Sequence, residues 1–136
     1  MRHKKLYWLI PLFLTFLIFF NSSRNGIQSA SLSQGIAKQL YFGWIPYSFF
    51  HFLLRKASHF IEYFGLSLSV QFAQHKHPLT KCIIFFYGPI VAILDEFLQF
   101  MTPGRSGQFS DVLLDSFAYF FALLLSLLLY FKKRKV

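Results

Sequence analysis

Four apolar stretches run through the chain, at about 6–20, 55–72, 82–101 and 112–131, and polar segments carrying Lys and Arg separate them. None alternates apolar with polar residues, as the ~10-residue strands of a membrane barrel would. Most approach the roughly 20 residues with which a helix crosses a hydrocarbon core of ~30 Å. The pattern predicts an all-α, polytopic membrane helix bundle: four transmembrane helices in a single domain over 1–136.

The first stretch, LYWLIPLFLTFLIFF, is short for a span, so a secretory signal is the rival reading. Its bulky, Phe-rich sequence and the lack of a small-x-small site close behind it predict a retained helix. Residues 21–54 are expected to form an extracytoplasmic loop. Positions 21–38 are rich in Ser, Gly and Gln, and 41–52 carry Trp44 and Pro46 in an aromatic setting suited to headgroup depth. A tight basic turn is expected over 74–81, a kink at Gly88-Pro89, and a Pro/Gly turn over 102–107. Ser110 is the expected cap of the last span, with Asp111 at its positive N-terminal end.

Composition sharpens this picture. The 136 residues are 55% hydrophobic and 21% aromatic, and the formal charge is +9. That charge does not point to nucleic acid, because the basic residues flank apolar runs instead of forming one stripe. Arg2, Lys4 and Lys5 precede the first run, and Lys132-Lys133-Arg134-Lys135 follow the last. With four spans, the N-terminus, the 73–81 turn and the C-terminus share one side and nine Lys/Arg, against five on the other. Both termini are therefore expected to be cytoplasmic, in a multi-pass protein of the cell membrane. A lone cysteine, Cys82, excludes an intrachain disulfide and reads as a small apolar helix residue.

The five acids are the chemistry-bearing feature: Glu62, Asp95, Glu96, Asp111 and Asp115. At ~1.5 Å per residue, Glu62 lies about 9 Å below Lys56, Asp95 about 9 Å below Met101, and Asp115 about 6 Å below Asp111. Three helices thus bring carboxylates to one level of the outer leaflet. Lys56, His59, Tyr63 and Ser67 form a stripe with Glu62 on its flank; Asp95 and Gln99 share a face; Asp111, Asp115, Ala118 and Ala122 share another. Lys56 and Arg105, with Arg55 near them, supply cations at that level. Ionisable groups in a span cost ~2.5–3.5 kcal/mol each on insertion scales, so they must face the bundle. They then either fix helix register as ion pairs or form a site, and five acids exceed what two or three cations neutralise.

These residues carry a family resemblance. The segments RKASHFIEY (55–63), DEFLQ (95–99), PGRSG (103–107) and DVLLDS (111–116) resemble, in order and spacing, the VanZ-like family of bacterial membrane proteins. The likeness covers about residues 50–130. It departs where the family usually has Gly after the last Asp-Ser, since this chain has Ala118 and Ala122. The resemblance implies a cell-envelope membrane protein, the name-giving member being linked to reduced susceptibility to the glycopeptide teicoplanin. It implies no settled reaction or ligand.

Three functions compete. In the first, an outward-facing polar site binds or shields an anionic envelope component: a lipid headgroup, a lipid-linked wall precursor or a lipoglycopeptide. Lys56 and Arg105 would hold the anion, Tyr63 and Gln99 would orient it, and Asp115 would complete the site. The alternative is a membrane-embedded enzyme acting on a lipid-linked substrate. There His59 serves as general acid or base beside Glu62, and Asp95, Glu96 or Asp111 as the second group or as oxygen ligands for Mg²⁺. The carboxylate spacing matches no recognised metal motif, so no metal site is assigned from sequence. Ion or proton translocation comes last, because the cytoplasmic halves of the spans hold mainly Ser67, Ser69, Gln71 and Ser126.

Overall fold

The computed structural model describes residues 6–76 and 81–134. Expectations placed on Arg2, Lys4 and Lys5, on the turn around 77–80, and on the side chains of Cys82 and the C-terminal basic group lie outside that description. The described residues form α1 (Leu9–Ser22), α2 (Gly26–Leu40), α3 (Tyr47–Lys76), α4 (Lys81–Met101) and α5 (Phe109–Arg134).

The main difference from expectation is α2, which occupies the stretch read as a loop. Its many Ser and Gln residues obscure a helix that begins at a good cap. Asn25 Oδ1 accepts from the Ile27 N–H at 3.0 Å, satisfying one of the orphan donors of the first turn. α2 packs on α3 and buries Ala37; that packing holds a segment of modest intrinsic propensity as a helix. A second difference is the start of α3. It begins directly after Pro46, so the second half of the aromatic stretch forms its first turns. A third is the cap of α5. Ser110 lies inside the helix, one residue past its start, and its hydroxyl donates to Gln108 Oε1 and Asp111 Oδ1 at 3.4 and 3.3 Å.

Helices α4 and α5 are each long and apolar enough to cross a membrane. α1 and α2 meet that criterion only as a pair, and a 106° bend divides them. α3 has ample length, 30 residues or about 45 Å, but carries Arg55 and Lys56 in its first half and Glu62 at its middle.

Contacts fix how the helices run. Tyr7 meets Phe72 edge-on at 5.6 Å, joining the start of α1 to the end of α3. A ladder of Phe60, Phe64, Phe117 and Phe121 binds α3 to α5 in the same direction. Tyr119 donates to the Ile84 carbonyl at 2.7 Å, tying the middle of α5 to the start of α4. The start of α1, the end of α3, the start of α4 and the end of α5 therefore share one end of the bundle. At that crossing, Gly88 is needed for its lack of a side chain, since a Cβ there would enter the ring of Tyr119. α4 continues as helix through Pro89.

Polarity is inverted relative to a water-soluble bundle. Asp95, Asp111, Asp115, Glu96 and Gln99 are buried, whereas Phe13, Phe16, Ile93, Phe97, Leu124 and Leu128 stand exposed on the outer faces. A lipid environment accounts for this, because charged groups in a span must turn inward and apolar groups need not. Ala118 and Ala122 are fully buried; small side chains let α5 approach its neighbours closely.

Candidate functional site

At the opposite end of the bundle, α3, α4 and α5 bring their acids together. α3 contributes Lys56, His59, Glu62 and Tyr63 from successive turns. Lys56 Nζ is ion-paired with Asp111 Oδ1 in the first turn of α5. One turn deeper, His59 Nδ1 lies 3.3 Å from Asp115 Oδ2. The repeat follows from the period of the helix: residues three and four apart stack on one face, so two parallel helices pair twice.

α4 supplies the third wall. Asp95 accepts from the Ser22 hydroxyl at the end of α1 and, at 3.4 Å, from Gln99 Nε2. Glu96 follows Asp95 on α4, about 100° further round the helix, and its carboxylate still comes within 4.8 Å of that of Asp95. Its Oε2 accepts from the Gln108 backbone N–H at 2.7 Å. Gly107 makes that approach possible, since a Cβ there would collide with the Glu96 carbonyl. Three buried polar atoms remain without a hydrogen-bond partner among the described residues: Tyr63 Oη, Glu96 Oε1 and Asp115 Oδ1.

The bent helix α2 closes over this end. Gly26 N–H donates to the Pro103 carbonyl at 3.1 Å, and Gly26 lies so near Gly104 that a Cβ would overlap the Gly104 carbonyl. Gly104 itself has φ +75°, a conformation that costs glycine little. From the same loop, Arg105 Nη2 donates to Ser29 Oγ at 2.5 Å, and Ser33 meets His51 Nε2 at 2.9 Å.

Three cavities lie around this level. One of about 280 Å³ is lined by Ser29, Ser33, Arg55, His59, Glu62 and Arg105 among others. A second, of about 140 Å³, reaches Lys56, His59 and Asp111. A third, of about 120 Å³, lies under α2 between Arg55, Gln99 and Arg105. Arg55 borders all three. Among the described residues the ion pairs are Lys56–Asp111 and His59–Asp115, so neither arginine has a carboxylate partner. Burial and the neighbouring charge of Arg55 lower the pKa of the Arg105 guanidinium from its ordinary value, yet an arginine stays cationic near neutrality.

A family model described as VanZ/LLP1 matches residues 7–130, nearly the whole chain. The chain belongs to the VanZ/LLP1 family. No curated protein sequence and no solved structure matched it.

The VanZ/LLP1 match extends over α1 and α2, beyond the motifs of residues 50–130, and both helices take part in the site through Ser22 and Ser29. Sequence reasoning missed these two residues. A serine just past an apolar run, and a serine-rich stretch with Ser29 and Ser33 on one helical face, were the available signals. All ten residues singled out from sequence lie at this end, but in different settings. Lys56 is occupied by Asp111, so Arg55 is the cation that accompanies Arg105 in the cavities. Tyr63 is fully buried in the bundle and lines none of the three cavities. Gln99 is bound to Asp95 and reaches the cavity under α2. His59 and Glu62 border the largest of the three, while Asp95, Glu96 and Asp115 lie behind them.

Proposed function

We propose that this VanZ/LLP1 protein spans the cell membrane four times, with both termini in the cytoplasm, and binds an anionic component of the envelope in an outward-facing cleft. The observation that carries the reading is the pair Arg55 and Arg105, which border one cavity with Glu62 and, among the described residues, have no carboxylate within ion-pair distance. Two guanidinium groups repel one another, so placing both beside one cavity is favourable when an anion lies between them. Guanidinium forks suit phosphate and carboxylate through paired N–H donors. Ser29, Ser33 and Asn21 add neutral polar groups at the same wall.

The sidedness follows from charge. Nine Lys/Arg accompany the end with the termini and five the end with the site, and the richer side faces the cytoplasm. A headgroup in the cleft would leave its acyl chains along the exposed apolar faces of the bundle. Lipid-linked wall precursors and phospholipids share this chemistry, and a lipoglycopeptide combines an anionic group with an acyl tail. On this reading, altered teicoplanin susceptibility results from capture or shielding at the outer leaflet.

The test is lipid and wall-precursor retention. The full chain is purified into nanodiscs containing phosphatidic acid or only phosphatidylcholine, and co-purifying lipids from expressing cells are weighed by mass spectrometry. Wild type should retain anionic phosphate-bearing lipids over phosphatidylcholine, with retention falling at least tenfold in Arg55→Gln and Arg105→Gln. Equal retention by wild type and both variants would sink the proposal. The enzyme reading keeps one observation in its favour: His59, paired with Asp115, borders the same cavity. Turnover of a retained lipid that is lost in His59→Gln would support it.

A further inference from the structure

We propose that His59, Asp95, Glu96 and Asp115 form a binding site for one divalent metal ion of the Mn²⁺ or Zn²⁺ type. Each residue offers one ligand atom, and the four atoms lie within 4.8 Å of one another. Bonds of about 2.0–2.2 Å to nitrogen and oxygen put ligands up to ~4.4 Å apart across an ion. Sub-ångström shifts of the side chains close the set.

Proximity of acids alone would not carry this, but the buried polar atoms around them do. Glu96 has one oxygen held by the Gln108 N–H and the other, Oε1, without a partner. Asp115 has Oδ2 on His59 and leaves Oδ1 without one. Tyr63, fully buried, interacts with both Asp95 and Asp115 at the edge of the same set. A buried unpaired polar group costs about 1–3 kcal/mol, and here Glu96 Oε1 and Asp115 Oδ1 both belong to the four-residue cluster. An ion would engage the two carboxylate oxygens.

Charge points the same way. Asp95 and Glu96 have no cation within ion-pair distance among the described residues, and Asp115 has only His59. Three acids and one imidazole in a lipid-embedded core leave an excess of negative charge, which a divalent ion offsets. One imidazole among carboxylates favours a first-row transition ion over Mg²⁺ or Ca²⁺, which prefer oxygen alone. The supporting shell is present as well: Ser22 and Gln99 orient Asp95, and Gln108 orients Glu96. His59 borders the cavities of about 280 and 140 Å³, which provide the way in.

This inference does not rest on the arginine cleft, and its test separates the two. The full chain in detergent is stripped with chelator, then titrated with Mn²⁺ by electron paramagnetic resonance and with Zn²⁺ by calorimetry. One ion per chain should bind, with imidazole nitrogen coupling in the Mn²⁺ spectrum. Glu96→Gln and Asp115→Asn should lose binding, Ser22→Ala should weaken it about tenfold, and Arg105→Gln should keep it while losing anionic lipid. His59→Gln should remove the nitrogen coupling, whereas replacing His3, His75 and His77 together should not. Folding of each variant is checked by helical circular dichroism and gel filtration. Should the acid variants fail to insert, the nitrogen coupling and its survival in the triple histidine variant decide alone. No stoichiometric ion in wild type, or undiminished binding in folded Glu96→Gln and Asp115→Asn, overturns the proposal.

Discussion

The hydroxyl of Ser22, in the last turn of α1, donates to Asp95 Oδ1 near the end of α4, and both residues are buried. This single bond joins the first apolar stretch to the acidic constellation. Replacing Ser22 by Ala removes the donor and leaves a carboxylate oxygen poorly satisfied inside the bundle. Destabilisation of about 1–3 kcal/mol is expected, measured as thermal unfolding of the detergent-solubilised protein. A stability change under about 0.3 kcal/mol, well below that range, would show that packing and the other hydrogen bonds of α1, between Thr15 and Tyr87 and from Thr102 to the Ser22 carbonyl, hold it without this one.

Lys56 and Asp111 should behave as a buried pair. Asp111 is nearly inaccessible and Lys56 about one-quarter exposed. Lys56→Met strands the carboxylate and should cost about 3–5 kcal/mol, while Lys56→Met with Asp111→Leu should recover most of it. Unfolding of the single and double variants gives the coupling directly. An additive result would mean that the pair contributes little.

Gly88 and Tyr119 form a close contact between α4 and α5 away from the site. Gly88→Ala places a methyl group in the tyrosine ring and should cost about 1–3 kcal/mol through overpacking. Tyr119→Leu on that background should restore part of the loss, because contacting residues are not additive. Full loss in both variants would locate the strain elsewhere.

Gly26 is the hinge by which α2 docks on the loop of Gly104 and Arg105. Gly26→Ala overlaps the Gly104 carbonyl, so α2 should lift while the remaining helices stay packed. Hydrogen exchange in α2 should rise by an order of magnitude or more with α5 unchanged, the pattern of local opening. Retention of phosphate-bearing lipid should fall with it. Unaltered exchange in α2 would mean that the backbone accommodates the added carbon.

Much of the site was legible because helical periodicity is strict. The stacking of Lys56 with His59, of Asp95 with Gln99, and of Asp111 with Asp115 needed only the 100° turn per residue. What periodicity cannot supply is the rotation and partner of each helix. Lys56 was expected to hold an anion and instead meets Asp111. Tyr63 was expected to orient a ligand, and its side chain is fully buried and lines none of the three cavities. Both outcomes depend on how α3 faces α5, which no single segment encodes.

The sequence by itself determined that the chain is helical, that its outer faces suit lipid, and that its acids gather at one level. It did so because apolar run length and helical period are local properties. The tertiary structure decided that the polar stretch after the first run becomes α2, folded back over the acids. It also decided that Arg55 accompanies Arg105 in the cavities, and that Ser22 and Gln108 orient the carboxylates. These are contacts between residues far apart in the chain. They arise because buried charges need partners, and the packed bundle alone sets which partners come within reach.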